Sequence, residues 1–150
     1  LWYDTGLARI ANNLTDIGAS GSTLKVMLVG TGYTPSRAHD FVDHVTAYEI
    51  DLTATGYVPG FNGAGRKTLA DSVVTVESGN IIKWDATDVT WTTLGTGATI
   101  RYAIIIQEST NDAGSSLICC CQAAADIVTG GGDVTIQWNA NGIARISNAP

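Results

Sequence analysis

His39, Asp40, Asp43 and His44 bring metal-binding side chains into close spacing. On a helical turn His39 and Asp43 share a face, as does Asp40 with Asp43 or His44, and imidazole with carboxylate suits zinc and similar ions. All four lie in one short segment, whereas a catalytic metal site draws its ligands from several elements, so exposed polarity is the expected role. The run Gly60-Phe61-Asn62-Gly63-Ala64-Gly65-Arg66-Lys67-Thr68 looks like a phosphate loop. That motif needs glycine directly before Lys-Thr, so that backbone amides and the ammonium converge on one phosphate. Arg66 intervenes here, and a plain glycine-rich loop is expected. Ser36 lies three residues before His39 but outside any Gly-x-Ser-x-Gly elbow. A glycosidase needs two carboxylates across a cleft, and Glu49, Glu77 and Glu108 each fall in or at the end of an alternating run. Asp85, Asp88, Asp126 and Asp133 are isolated turn acids that do not match a calcium loop. Trp2, Trp84, Trp91 and Trp138 could stack on sugars, although three sit in strand-like runs where packing is the commoner use. The expectation is therefore no catalytic residue, no metal site, no cofactor and no small-molecule substrate.

The elements that would position these groups are read from pattern. Ala98 to Glu108 (ATIRYAIIIQE) is a central strand, because β-branched and aromatic residues pack well on a pleated surface. Ile100, Tyr102, Ile104 and Ile106 form its core face; Thr99, Arg101, Ala103, Ile105 and Gln107 form a partly covered one. Asp88 to Leu94 alternates too, and Gly95-Thr96-Gly97 between the two runs signals a hairpin. Thr23 to Val29 is a strand with Leu24, Val26 and Leu28 on one face. Ala38 to Val45 reads as one helical turn with Phe41 and Val45 inward, and Thr46 to Thr53 as a half-exposed strand. Leu69 to Val76 and Asn80 to Trp84 form a hairpin, and Leu117 to Ala125 a strand buried on both faces. Val134 to Trp138 and Ile143 to Ile146 pair across Asn139 to Gly142, whose Asn-Gly favours a tight turn.

Leu7, Ile10 and Leu14 fall at helical spacing, so Thr5 to Asn13 is a short amphipathic helix with Thr5 as its cap. Ser20-Gly21-Ser22 marks a hinge, which gives an N-terminal arm over residues 1–22 and a β domain over 23–150. The arm is apolar enough to dock, either on its own domain or on a neighbour. The total is about nine strands with regular turn signals, the spacing of an antiparallel sandwich or jelly roll.

Composition agrees with an all-β single domain. Charged residues make up only 15% of the 150, hydrophobic residues 45%, and there are 17 glycines. The net charge is −6 with 8 Lys and Arg residues and no basic cluster, which argues against a nucleic-acid surface. No apolar run is long enough to span a membrane. The weak charge suits a surface partly covered by neighbours. Cys119, Cys120 and Cys121 are consecutive, so alternate side chains point apart and the spacing suits neither a disulfide nor zinc. Buried free thiols formed in a reducing compartment are expected. Leu1 to Asp4 carries no basic leader region, so no secretory signal is expected there.

Several stretches together resemble a family. They are Lys25-Val26-Met27-Leu28-Val29, Gly32-Tyr33-Thr34-Pro35, His39-Asp40-Phe41-Val42 and Ala47-Tyr48-Glu49-Ile50. Then come Gly56-Tyr57 with Gly60, Asp88-Val89-Thr90-Trp91, Ala98 to Ile105, and Asn141-Gly142-Ile143-Ala144-Arg145-Ile146. Over Leu24 to Ile146 the chain resembles small virion structural proteins of tailed bacteriophages, of the kind that decorate or cement the capsid. The resemblance implies a jelly-roll-like fold, no catalysis, and the major capsid protein as partner. Copies of the chain itself are expected as further partners, and the virion surface as its location after synthesis in the host cytoplasm. Leu1, Trp2, Tyr3, Leu7, Ile10, Tyr57 and Phe61 are the expected contact residues, drawn from the arm and from the Ala54 to Lys67 loop. A neck or tail adaptor, a fibre protein, and a carbohydrate-binding β-sandwich module are the alternative roles. The last would need exposed aromatics beside amide and carboxylate groups.

Overall fold

The computed structural model describes residues 1–18, 23–79 and 81–147. The expected hinge at Ser20 to Ser22, and Asn80, lie outside the described residues. The chain is mostly β. Strands β1 (Leu24–Gly30), β2 (Lys67–Thr68), β3 (Val73–Glu77), β4 (Ile81–Asp85) and β5 (Val89–Trp91) precede β6 (Thr99–Gln107), β7 (Ser116–Val128), β8 (Val134–Ile136) and β9 (Ala144–Ser147). One helix, α1 (Asp4–Ala11), comes first, and three single 3₁₀ turns follow β1. The strands form three antiparallel sheets ordered β2-β1-β6-β7, β3-β4-β9 and β5-β8.

β6 is the centre, as its composition indicates, but it is buried on both faces rather than one. Val26, Ile105 and Cys119 align across the sheet and join one apolar cluster; Met27, Ile104 and Cys120 align one residue along and join a second. The first cluster is completed by Trp84, Val89, Trp91 and Val134 from the small sheets. The second is capped by Tyr3, Tyr33, Val42 and Val45. Burial on both faces explains why the run is isoleucine-rich on both.

Two expected pairings are replaced, and one expected strand does not form. β5 pairs with β8 instead of β6, because β1 and β7 occupy both edges of β6. Leu94 N–H donates to Gly132 O (3.0 Å) and Gly131 N–H to Leu94 O (2.7 Å), which draws β5 onto β8. The terminal hairpin is not formed either. Its turn exists, with Gly142 at φ +82°, but Ile143 N–H donates to Trp84 O (2.8 Å) and β9 joins β4. A side chain at Gly142 would meet that carbonyl at 2.4 Å, so glycine is what lets the chain pass. The expected strand over Thr46 to Thr53 is a 3₁₀ turn (Thr46–Tyr48) followed by chain that meets β1 in an isolated bridge, Val29 opposite Glu49, with Ile50 N–H donating to Leu28 O (3.1 Å). The helical turn before it is 3₁₀ (Val42–His44), with Val42 rather than Phe41 buried beside Val45. The β3–β4 hairpin forms as expected. β7 is buried only as far as Cys120; beyond it the strand is largely exposed.

What breaks the alternation in Thr46 to Thr53 is Glu49, which is drawn inward by Arg66. The two side chains are almost wholly buried and meet in a two-pronged fork, Arg66 Nη2 to Glu49 Oε2 at 2.7 Å and Nε to Oε1 at 3.0 Å. Asp112, from the β6–β7 loop, takes the remaining guanidinium edge. Tyr57 Oη donates to Glu49 Oε1 (2.8 Å) and accepts from the β1 amide of Leu28 (3.0 Å). Gly60 N–H donates to Glu49 Oε2 (3.1 Å). Burial pushes the Tyr57 phenol well up, and the Glu49 charge adds to it. Burial alone would lower Arg66; the Glu49 and Asp112 carboxylates reverse that and hold it cationic.

The arm folds back on its own domain. Leu1 and Cys120 exchange backbone hydrogen bonds of 2.7 and 2.8 Å, and Trp2 stands opposite Cys119, so the chain enters as a short extra strand on β7. α1 then crosses β7 at Gly6, where a Cβ would lie 2.7 Å from the carbonyls of Leu117 and Ile118. Asp4 opens the helix and pairs with Arg37 (2.6 Å), which suits its N-terminal dipole. Thr5, expected as the cap, instead donates its hydroxyl to Asp40. Arg9 anchors the other end on Gln107 Oε1 (2.9 and 3.1 Å).

Arg66→Ala leaves Glu49 buried without its cation, and chemical denaturation should show a loss of about 3–5 kcal/mol. Gly6→Ala forces α1 off β7; a loss of about 1–3 kcal/mol is expected, with hydrogen exchange accelerated at Tyr3 and Leu7.

Candidate functional site

The His39 to His44 cluster is taken up locally. His39 Nδ1 lies 2.8 Å from Tyr33 Oη, His44 Nδ1 accepts from the Asp40 amide (3.1 Å), and Asp40 accepts from Thr5. Among the described residues no three His, Cys, Asp or Glu side chains converge as a metal site would need. The three glutamates are dispersed: Glu49 on Arg66, Glu77 on Lys83 and Arg145, Glu108 on Lys25.

Two surface features remain. The first is one face of the β3-β4-β9 sheet. Register places Val74, Val76, Ile82, Trp84, Ala144 and Ile146 on that face. The other face carries Lys83, Glu77, Asp85 and Arg145 in ion pairs. The arm covers part of the apolar face: Trp2 stacks on Trp84 with ring centroids 5.6 Å apart, and Ile10 and Ile17 pack beside them. The rest is open. Val76 is 77% exposed and Ile146 65%, and a cleft of about 280 Å³ runs between Leu7, Ile10, Val74, Ile82 and Ile146.

The second feature is a groove of about 570 Å³ beside a bulge in β7. Ile100 pairs with Ile127 and Tyr102 with Gln122, so Ala123 to Asp126 stand opposite the single residue Arg101. Such bulges re-aim side chains and concentrate next to binding sites. Arg101 spans this one, pairing with Asp126 (3.3 Å) and, once the Gln122 amide is turned to face it, donating to Gln122 Oε1 from Nε (3.1 Å) and Nη2 (2.6 Å). The opposite wall is the chain around Trp138. Its backbone amide donates to Asp88 Oδ1 (2.9 Å) and its indole Nε1 to the carbonyl of Thr87 (3.1 Å), which fixes the ring. Tyr102, Thr135, Gln137 and Asn139 also line the groove.

Of the expected contact residues, Leu1, Leu7, Trp2 and Ile10 border these two surfaces. Tyr3 and Tyr57 are fully buried, which removes both from any contact surface. Tyr3 is drawn in by core packing and its hydroxyl meets that of Tyr33 (3.0 Å); Tyr57 is held by Glu49. Phe61 is half-buried and lies on neither surface. Sequence reasoning missed Gln122, Gln137 and Asn139, which carry no motif, and named Trp138 for sugar stacking only as one of four tryptophans for which packing was the commoner use. The signal available was a tryptophan flanked by amides at the mouth of an Asn-Gly turn.

No family model matches the chain, and neither a curated protein nor a solved structure does.

The three cysteines are free, and they differ. Burial pushes Cys120 up to about 11. Hydrogen bonding between Cys119 and Cys121 raises the first and lowers the second. Cys121 is also the one that is half-exposed and at the groove wall. Iodoacetamide at mildly alkaline pH should therefore label Cys121 on the order of tenfold faster than its neighbours, read by peptide mass spectrometry.

Proposed function

We propose that this chain is a structural virion protein that decorates and stabilises the capsid of a tailed phage by bridging major capsid protein subunits. The observation that carries the reading is the half-covered face of the β3-β4-β9 sheet. A three-stranded sheet with ion pairs on one side and Val74, Val76, Ile82 and Ile146 on the other is amphipathic in the sense a docked sheet requires. Large apolar groups left together in water mark an interaction surface. The likeness of the Leu24 to Ile146 stretches to phage virion proteins supplies the kind of partner. In this reading the three sheets are parts of one jelly-roll-like sandwich, with the four-stranded sheet as its shared layer. The chain works by burial rather than by chemistry: it needs no cofactor, binds no nucleic acid or membrane, and assembles with further copies of itself on the shell. A holding interface would bury about 1,200–2,000 Å² in total, and in this reading it extends from the sheet face to Leu1 and Leu7.

Electron microscopy of particles carrying labelled protein should show signal over the shell. Val76→Asp with Ile146→Asp should lower occupancy on the order of tenfold or more, since each carboxylate would have to be desolvated. Signal confined to the neck or tail would move the protein to an adaptor or fibre role; absence from particles would end the virion reading.

A further inference from the structure

We propose that the groove at the β7 bulge binds a short neutral oligosaccharide. The inference rests on the lining and stands independently of the virion reading.

The groove, at about 570 Å³, falls within the range of small-ligand sites, about 300–1,000 Å³. Its composition narrows the ligand. Its lining includes two aromatics, Trp138 and Tyr102, three amide-bearing residues, Gln122, Gln137 and Asn139, and Thr135, whose hydroxyl is bonded to that of Thr90 (2.8 Å). No lysine, arginine, aspartate or glutamate lines it. The nearby charges are already spent: Arg101 is engaged by Asp126 and Gln122, and Asp88 by the Trp138 amide. A charged ligand would therefore meet no counter-charge. A purely apolar ligand would leave the three amides, all at exposed positions, without a role. A side-chain amide offers both donors and acceptors, which matches hydroxyls that also do both. An indole face offers an apolar platform for the C–H face of a pyranose.

The polar groups are also held in place before any ligand arrives. Trp138 is tethered at two nitrogens, to Asp88 and Thr87, so the ring loses little freedom on binding. Gln122 turns its carbonyl to Arg101, and that leaves its amide N–H groups outside this contact at the groove's edge. The excursion of Ala123 to Asp126 out of the β6–β7 ladder is what opens the space between these walls.

The test uses the full chain with maltotriose, cellotriose, lactose and diacetylchitobiose, then a neutral and acidic glycan array, read by saturation-transfer NMR and tryptophan fluorescence. Saturable binding of at least one neutral glycan is expected, together with slower alkylation of Cys121 when the glycan is present. Trp138→Ala should weaken binding on the order of tenfold or more. Gln137→Ala, at an exposed position, should weaken it with circular dichroism unchanged, and Asn139→Ala should weaken it while also releasing the Asn141 amide that its side chain holds in the turn. Failure of every neutral glycan to bind, selective binding of acidic glycans, or full binding by all three variants would each overturn the assignment.

Discussion

The fork between Arg66 and Glu49 is the constraint on which the rest of the fold turns. Taking both charges out of water is costly, and only good geometry with every remaining lone pair satisfied offsets it. Here the guanidinium spends its edges on two carboxylates, and Glu49 in turn accepts from Tyr57 and the Gly60 amide. Each partner comes from a different part of the chain: the crossing after β1, the glycine-rich loop, and the β6–β7 loop. The cluster therefore fixes three irregular segments that have no ladder of their own. Tyr57 passes the restraint to β1 through the Leu28 amide, and its ring packs near Trp91. Trp91 is itself held by Gly65 (2.6 Å), one residue before Arg66.

With those loops pinned, the four-stranded sheet is covered on both faces, and the two small sheets are left to build the surface. Their edges and faces are where the molecule is unfinished. β3-β4-β9 has an apolar face that the arm only half covers. β7, whose first half is locked between β6 and the arm, loses its partner at the bulge and opens the groove. Both features arise where one long element outruns the neighbours available to cover it.

The local half of this was legible in the residues. Isoleucine density marked β6, alternation marked β1, and the glycine turn marked the β3–β4 hairpin. Helical spacing placed α1 to within a residue or two, although its cap went to Asp40 instead. The non-local half was not legible. Asp88 to Leu94 is a strand whichever partner it takes, and only the occupancy of both β6 edges sends it to β8. Asn139 to Gly142 makes its turn, yet the flanking strands separate because Trp84 offers a carbonyl to Ile143. Thr46 to Thr53 alternates as a strand should, but Glu49 belongs with Arg66, seventeen residues on. That same arginine spoils the phosphate-loop pattern. The residue that excluded one site was the sign of the buried cluster, and nothing in its spacing says which acid it meets.

The two surfaces are set by one strand-like entry. Leu1 borders the groove and Trp2 borders the apolar face, because successive side chains on an extended chain point opposite ways. The same alternation recurs where the chain enters β9, with Ile143 on the groove and Ala144 on the apolar face. The walls are thus back to back across the arm and β9, and no residue lines both. A partner seated on the sheet face and reaching Leu1 would touch the groove at that one residue and leave Trp138 and the amides free. On the proposed reading, the chain would hold to a shell through its sheet face while the groove on the other side stays open to what lies outside.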